Sequence, residues 1–267
     1  MSTARRDRNP LEIRVGAFAR IDHDRARRIG VPEVILGEGK SPEHLVGILE
    51  TLHRRRVGAL VSHPTERQRA ALEAAARGGL PVRPRAGGRL WRLSGPLGPR
   101  YRRGTVALVA AGTSDVAIAE EARAVLSELG IRTAVAYDVG VAGVHRLLRA
   151  LRTLAPRHPE VYLAFAGREG ALPTVLAGLV GVPVVGVPTS IGYGRGGRGE
   201  AALSAMLQSC APIAVVNIDA AVPAALFAAQ WFSAPPAGRT KRRRGGSPSS
   251  VPRREPGRRG QEDRSSR

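Results

Sequence analysis

The stretch TVALVAAGTSD, residues 105–115, decides how the chain is read. An apolar run of strand length ends in the turn Gly112-Thr113-Ser114-Asp115. The segment DVAIAEEARAVLSELG (115–130) follows, with Val116, Ile118, Ala119, Ala122, Val125, Leu126 and Leu129 apolar at helical spacing. The same alternation then repeats. TAVAYDV precedes VHRLLRALRTLA, VYLAFAG precedes ALPTVLAGLVG, and VPVVGVP leads through a glycine-rich loop to EAALSAMLQSC. IAVVNID precedes PAALFAAQWF. Five strands alternating with five helices predict right-handed βαβ crossovers and a mostly parallel sheet covered on both faces, a three-layer α/β/α domain over 105–232.

Outward from this unit, the sequence predicts a small α/β unit with its connector over 21–104. Ser41-Pro42-Glu43 reads as a helix start, and Leu45, Ile48, Leu49 and Leu52 share one helical face. VGALVS (57–62) reads as a strand and Thr65 as the cap of a second helix. Residues 81–104 read as a connector with at most one strand. Residues 1–20 show no clear periodicity and read as an N-terminal tail or a short helix. The stretch 233–267 is rich in Pro, Gly, Ser and Arg and reads as a disordered basic tail.

The net charge of +20 invites a nucleic-acid reading, but only two of the 42 basic residues are lysine, and an arginine bias also follows from a GC-rich genome. The tail alone, with eleven basic and three acidic residues, carries +8. Nucleic acid is therefore not the expected partner. A single cysteine excludes an internal disulfide, and no apolar run reaches membrane-spanning length, so a soluble, cytoplasmic protein is expected, without a membrane partner.

In a parallel α/β sheet, ligands bind beyond the carboxyl ends of the strands. Here those ends carry the conspicuous polar clusters. Gly112, Thr113, Ser114 and Asp115 offer an anion cradle at a helix start, although Asp115 serves equally as a plain cap. Asp138 ends the second strand, with His145 and Arg146 at the next helix start. Gly167, Arg168, Glu169 and Gly170 follow the third strand; the glycines let a ligand approach the backbone, and Glu169 reads as a carboxylate beside it or as plain helix-end charge. Ser190, Gly192, Tyr193 and Gly194 belong to a loop that reads as a lid or a mobile connector, and Asn217 ends the fifth strand. Cys210 closes an apolar helix; a lone cysteine is most often a small buried hydrophobe.

Taken in order, RARRIGVPEVILGEGK, AAGTSDVAIAEEA, YDVGVAGVHRLL, AGREGALPTVLAGL, VPTSIGYG and AMLQSCA…VVNID resemble the LarB family over roughly residues 20–220. That family's second domain is similar to PurE, the aminoimidazole ribonucleotide carboxylase of purine synthesis, so a PurE/flavodoxin-like fold and a homo-octamer are implied. The resemblance implies carboxylation of the pyridinium ring of nicotinic acid adenine dinucleotide and hydrolysis of its phosphoanhydride. The products are pyridinium-3,5-biscarboxylic acid mononucleotide and AMP, at the first step of nickel-pincer cofactor synthesis. Magnesium or another divalent cation, and carbon dioxide or bicarbonate as co-substrate, are implied with it; the metal ligands are not. Cys210 takes the position of the family's nucleophile, Ser114 and Asp115 match the PurE-like Ser-Asp pair, Glu169 becomes a proton acceptor or magnesium contact, and His145 a contact to charged groups of the dinucleotide. The two ends of 105–219 are thus expected to form one active site. The chain departs from the family at Arg168, where an apolar Met is usual, and in the arginine-rich loop after Tyr193. A purine-pathway carboxylase or mutase is the alternative, but its Ser-Ala-His-Arg segment has only a partial echo in Gly143-Val144-His145-Arg146. A nucleotide- or nucleic-acid-binding protein without catalysis is the further alternative.

Overall fold

A computed structural model describes residues 12–98 and 100–233. The expected basic tail, apart from Ser233, and the first eleven residues lie outside the described residues.

From residue 105 onward the chain builds a five-stranded parallel sheet of β7 (Thr105–Ala110), β8 (Arg132–Ala136), β9 (Val161–Ala166), β10 (Val184–Pro188) and β11 (Ile213–Val215), in the order β11-β10-β9-β7-β8. Alternation along the strands builds two cores. In β7, Val106, Leu108 and Ala110 face α4 (Val116–Glu128) and α8 (Ala221–Gln230). Ala107 and Val109 face α5 (Val144–Leu154), α6 (Ala171–Ala177) and α7 (Glu200–Leu207). Successive strand residues point to opposite faces, so a strand buried on both faces reads as one continuous apolar run. The result is the expected three-layer α/β/α fold. The strand order reverses between β7 and β9, so the crevice between their carboxyl ends is the topological switch point.

The first half differs from expectation in two places. Residues 12–22 form a hairpin, β1 (Glu12–Val15) against β2 (Ala19–Asp22), where a tail or short helix was expected. After α1 (Arg25–Ile29), a mixed sheet forms from β3 (Val34–Leu36), β4 (Ala59–Ser62), β5 (Val82–Arg85) and β6 (Leu90–Leu93), in the order β3-β4-β6-β5. The connector therefore holds two antiparallel strands rather than at most one. Pro84 is tolerated because β5 is an edge strand. The two expected helices are present as α2 (Pro42–Arg54), capped by Ser41, and α3 (Glu66–Arg77), capped by Thr65 with Gln68 completing a capping box. No helix among the described residues is long and apolar enough to cross a membrane.

Helix α4 joins the two halves. Leu60 and Leu90 of the mixed sheet share a core with Ile118, Ala122 and Val125. Beside that seam, Glu121 and Glu128, two turns apart, meet a basic set from the mixed sheet. Glu121 is fully buried, 2.9 Å from Arg89 Nε and 3.2 Å from His63 Nε2, while Glu128 pairs with Arg85 and Arg92. Removing one partner of a buried pair leaves an uncompensated charge and typically costs about 3–5 kcal/mol. The Glu121 hydrogen bond raises the pKa of His63 above the ordinary histidine value, with a smaller pull from Asp219.

Candidate active site

The polar turns meet at the switch point. Ala111 N–H donates to Phe165 O (2.9 Å), which closes β7 on β9, and Gly140 N–H donates to Ala111 O (2.8 Å). A one-turn 3₁₀ helix over Thr113–Asp115 then opens α4. Asp115 is 3% exposed, and each of its carboxylate oxygens has a fixed donor. Gly112 N–H donates to Oδ2 at 2.8 Å, and Thr189 Oγ1 donates to Oδ1 at 2.6 Å. Thr189 is fully buried at the end of β10, so it ties that strand end to the β7 turn across the sheet edge.

The third turn is equally constrained. A β-carbon at Gly167 would stand 2.2 Å from Ile191 O and 2.8 Å from Thr189 Oγ1, so only glycine fits. Arg168 follows in the left-handed region, φ 51°, and its N–H donates to Ile191 O at 3.0 Å. Gly170, φ 64°, starts α6, with Ala202 O 2.6 Å from where its β-carbon would be. The Arg168 guanidinium lies over the Tyr193 ring, 4.8 Å from its centroid, and donates to its hydroxyl at 3.1 Å.

These turns surround an open cavity of about 760 Å³. Of the residues expected at the site, Gly112, Ser114, Asp115, Arg146, Gly167, Glu169, Gly192 and Tyr193 line it. Ala142, Ile191 and Arg168 line it too. The remainder are arranged around it or elsewhere. Thr113 is exposed on the same turn. Asp138, φ 55°, accepts from Arg146 Nη1 through both its carboxylate and its carbonyl at 2.9 Å, and so aims that arginine. Gly170 is outside the lining and packs against Ala202. Ser190 N–H donates to Asp219 Oδ1 at 2.9 Å. Asn217 accepts from Ile218 N–H through its side chain; His145, Gly194 and Asn217 are exposed outside the lining. Among the residues lining the cavity there is no thiol, histidine or lysine.

Cys210 is not in this cavity. Helix α7 ends at Leu207, three residues earlier than expected, and Cys210 is exposed in the bend that leads into β11. Ile213 is in register with Val184 at the start of β10, whereas Thr189 follows the end of β10. Five residues of strand separate those levels, roughly 16 Å at about 3.3 Å per residue. The thiol and the Asp115 cavity therefore lie at opposite edges of one sheet. Of the closing stretch, Asp219 reaches the carboxyl edge, where its N–H donates to Pro188 O, but Cys210 is not brought to the Asp115 turn within one chain.

Two partners of the site were not singled out in the sequence. Thr189, directly after β10, belongs to the strand-end cluster Pro188-Thr189-Ser190, where Ser190 is the residue expected at the site. Asp219, φ 55°, holds the Ser190 turn. A second cavity, of about 350 Å³, lies in the first half beside Ile21, Glu33 and Leu52. Burial raises the pKa of Glu33, which accepts from Asp22 N–H.

Residues 105–242 match the AIR carboxylase family model, and residues 13–81 match the LarB/PurE-like N-terminal domain. The uncharacterized protein MJ0165 of Methanocaldococcus jannaschii is 35% identical over 226 residues, which cover 78% of this chain and 82% of that protein. The N5-carboxyaminoimidazole ribonucleotide mutase of Pyrococcus abyssi is 34% identical over 134 residues, 48% of this chain and 73% of the mutase. The crystal structure of a single-site variant of Treponema denticola PurE2 covers 49% of this chain and 80% of that chain at 26% identity, with a TM-score of 0.41. With a family model spanning its parallel domain and the switch-point cavity within it, the chain belongs to the AIR carboxylase family, a family of carboxylases and mutases, and carries a LarB/PurE-like domain ahead of that fold.

Proposed function

We propose that the chain carboxylates the pyridinium ring of nicotinic acid adenine dinucleotide and hydrolyses its phosphoanhydride, releasing AMP. The observation that carries this reading is the switch-point cavity. Its 760 Å³ falls in the range of small-molecule sites, Arg146 and Arg168 supply cationic walls for an anionic dinucleotide, and Asp115 is a fixed carboxylate at its edge. The N-terminal match favours this reading over a purine-pathway mutase, since the mutase relative aligns with only 48% of the chain.

The ring is electron-poor and cannot itself attack carbon dioxide. Addition of the Cys210 thiolate, brought to the cavity from another copy in the homo-oligomer that the family resemblance implies, forms a carbon–sulfur bond and sends an electron pair to the ring nitrogen, leaving a neutral, enamine-like ring. Its nucleophilic carbon bonds to carbon dioxide. A base takes the proton from that carbon, and the departing thiolate restores the pyridinium. The step consumes one carbon dioxide and releases one proton, with no oxidant or reductant. Glu169, exposed at the cavity mouth, is the carboxylate placed to accept that proton, while Asp115 orients the Ser114 turn. Gly192 and Tyr193, with Tyr193 77% exposed beneath the Arg168 guanidinium, form a flap able to close and exclude water.

Among the described residues no three His, Cys, Asp or Glu side chains form a metal cage. Magnesium is commonly held by one or two carboxylates together with substrate phosphates, and Glu169 fits that role beside the cavity. When bound, the ion would neutralise charge on the diphosphate.

The test is an assay of the full chain with magnesium and bicarbonate, supplied in parallel with nicotinic acid adenine dinucleotide and with aminoimidazole ribonucleotide or its N5-carboxy form. AMP release from the dinucleotide supports the proposal. Turnover of a ribonucleotide with no AMP assigns the chain to the mutase or carboxylase reading.

A further inference from the structure

We infer that Arg168 is the residue through which this site distinguishes a diphosphate-bridged ligand from a mononucleotide. Its guanidinium leaves the Tyr193 ring to meet the second phosphoryl group of the ligand. This rests on the proposed reading of the cavity as a dinucleotide site, and names the side chain that reads the second charge.

The two arginines that line the cavity differ in their partners. Arg146 is neutralised: its Nη1 donates to the carboxylate and to the carbonyl of Asp138, both at 2.9 Å. Arg168 is not. Among the described residues no carboxylate pairs with it, its neighbour Glu169 included, and its guanidinium meets the Tyr193 ring at 4.8 Å and the Tyr193 hydroxyl at 3.1 Å. Its main chain is pinned: its N–H donates to Ile191 O at 3.0 Å, its φ is 51°, and Gly167 before it has no room for a β-carbon. Rotation of the side chain is therefore what moves the guanidinium. Tyr193 is 77% exposed, so the stacked pair stands in water, where a cation–π contact is weak. A phosphoryl group offers the guanidinium two charge-assisted hydrogen bonds in its own plane, which is the stronger interaction. The exchange runs towards the ligand. Arg168 also stands where the LarB family usually has an apolar Met, so this cation is a property of the chain and not a requirement of the fold. A mononucleotide brings one phosphoryl group, for the Gly112–Ser114 turn and Arg146 to hold. A diphosphate leaves a second one for Arg168.

The inference is tested by calorimetry on the full chain, without bicarbonate or magnesium so that no turnover runs. Nicotinic acid adenine dinucleotide and nicotinic acid mononucleotide are titrated into the wild type, Arg168→Met and Arg168→Lys. Arg168→Met is expected to weaken dinucleotide binding about tenfold or more, the loss of a charge-assisted contact, and mononucleotide binding by less than about twofold. Retained mononucleotide binding also shows that the variant is folded. Arg168→Lys keeps the charge without the planar fork and is expected to recover part of the loss. Added salt is expected to weaken dinucleotide binding more in the wild type than in Arg168→Met. Equal losses for the two ligands in Arg168→Met, or no loss for the dinucleotide, overturn the role of Arg168 while leaving the dinucleotide reading in place. A wild type that binds neither ligand overturns that reading, and the inference with it.

Discussion

The two edges of the parallel sheet are built differently. At the carboxyl edge the turns interlock. Thr189 reaches from β10 to Asp115 after β7, Gly167 backs onto Ile191 and Thr189, and Asp219 after β11 holds the Ser190 N–H. Four non-glycine residues there, Asp138, Arg168, Arg198 and Asp219, sit at positive φ, where side chains other than glycine are uncommon. Such conformations persist only where surrounding contacts impose them. The amino edge beside β11 is tied through Ser209, whose hydroxyl accepts from Thr174 Oγ1 at 2.9 Å and from Ala211 N–H at 3.1 Å. It presents Cys210 in an exposed bend, flanked by uncovered Leu207 and Trp231. One edge is locked around a cavity; the other leaves apolar side chains and the thiol exposed. Under the proposed chemistry, this difference puts ligand binding at one edge and the nucleophile at the other.

The sharpest way to break this division is Cys210→Ser. Because serine lacks a comparably acidic, soft nucleophile, carboxylation is expected to fall by roughly three orders of magnitude or more, read as labelled bicarbonate incorporation. Binding of the dinucleotide, read by calorimetry, is expected to persist. Loss of binding together with loss of turnover would place the thiol in the binding surface instead.

At the carboxyl edge, Gly167→Ala forces a methyl into the 2.2 Å approach of Ile191 O. Overpacking of this sort costs about 1–3 kcal/mol, and thermal unfolding is expected to come at a lower temperature, with activity falling as the Ile191 segment shifts. An unchanged melting temperature would show that the lock is loose.

Thr189→Val removes the hydroxyl that bonds Asp115 Oδ1 and leaves a buried carboxylate oxygen without that donor. A loss of about tenfold in kcat/KM is expected, in keeping with the roughly 1–3 kcal/mol cost of an unsatisfied buried group. Thr189→Ser keeps the hydroxyl and is expected to recover most of it. Equal losses in both variants would mean that Thr189 matters only for packing.

The smallest effect concerns the seam between the halves. Bonding to Glu121 raises the pKa of His63 in the folded protein above the unfolded value of 6.5. The stabilisation is therefore fully present below pH 6.5 and is lost as pH rises through the folded-state pKa. His63 is over a third exposed, so screening keeps the effect modest. His63→Gln is expected to lower stability in denaturant titrations at about pH 5.5 and to change it less at about pH 8.5. A pH-independent difference would show that His63 acts without its charge.

The sequence made the parallel sheet legible because each of its strands is followed by a helix-spaced segment, and local pattern suffices for that reading. The order of its strands was not legible, since it depends on which crossover passes which face, and with it the switch point stayed hidden. The hairpin at 12–22 and the strands VRPR and LWRL were missed for another reason. They are four residues long and rich in arginine, and Arg85 and Arg92 are there to meet Glu128 on α4, a partner far away in sequence. Of the site, the turns at 112–115 and 167–170 were legible as strand ends, whereas Thr189 was masked by its more conspicuous neighbours. The placement of Cys210 was open to inference: a residue just ahead of a parallel strand belongs to the amino edge, opposite every turn that follows a strand.

The central claim is that one site both adds a carboxyl group to the pyridinium ring and cleaves the phosphoanhydride. The direct measurement is mass spectrometry of products from nicotinic acid adenine dinucleotide, magnesium and ¹³C-bicarbonate, with AMP quantified in the same samples. The account predicts a mononucleotide carrying the label, formed in equal amount with AMP by the wild type, and no labelled product from Cys210→Ser. AMP released without label, or label incorporated undiminished by Cys210→Ser, would contradict it.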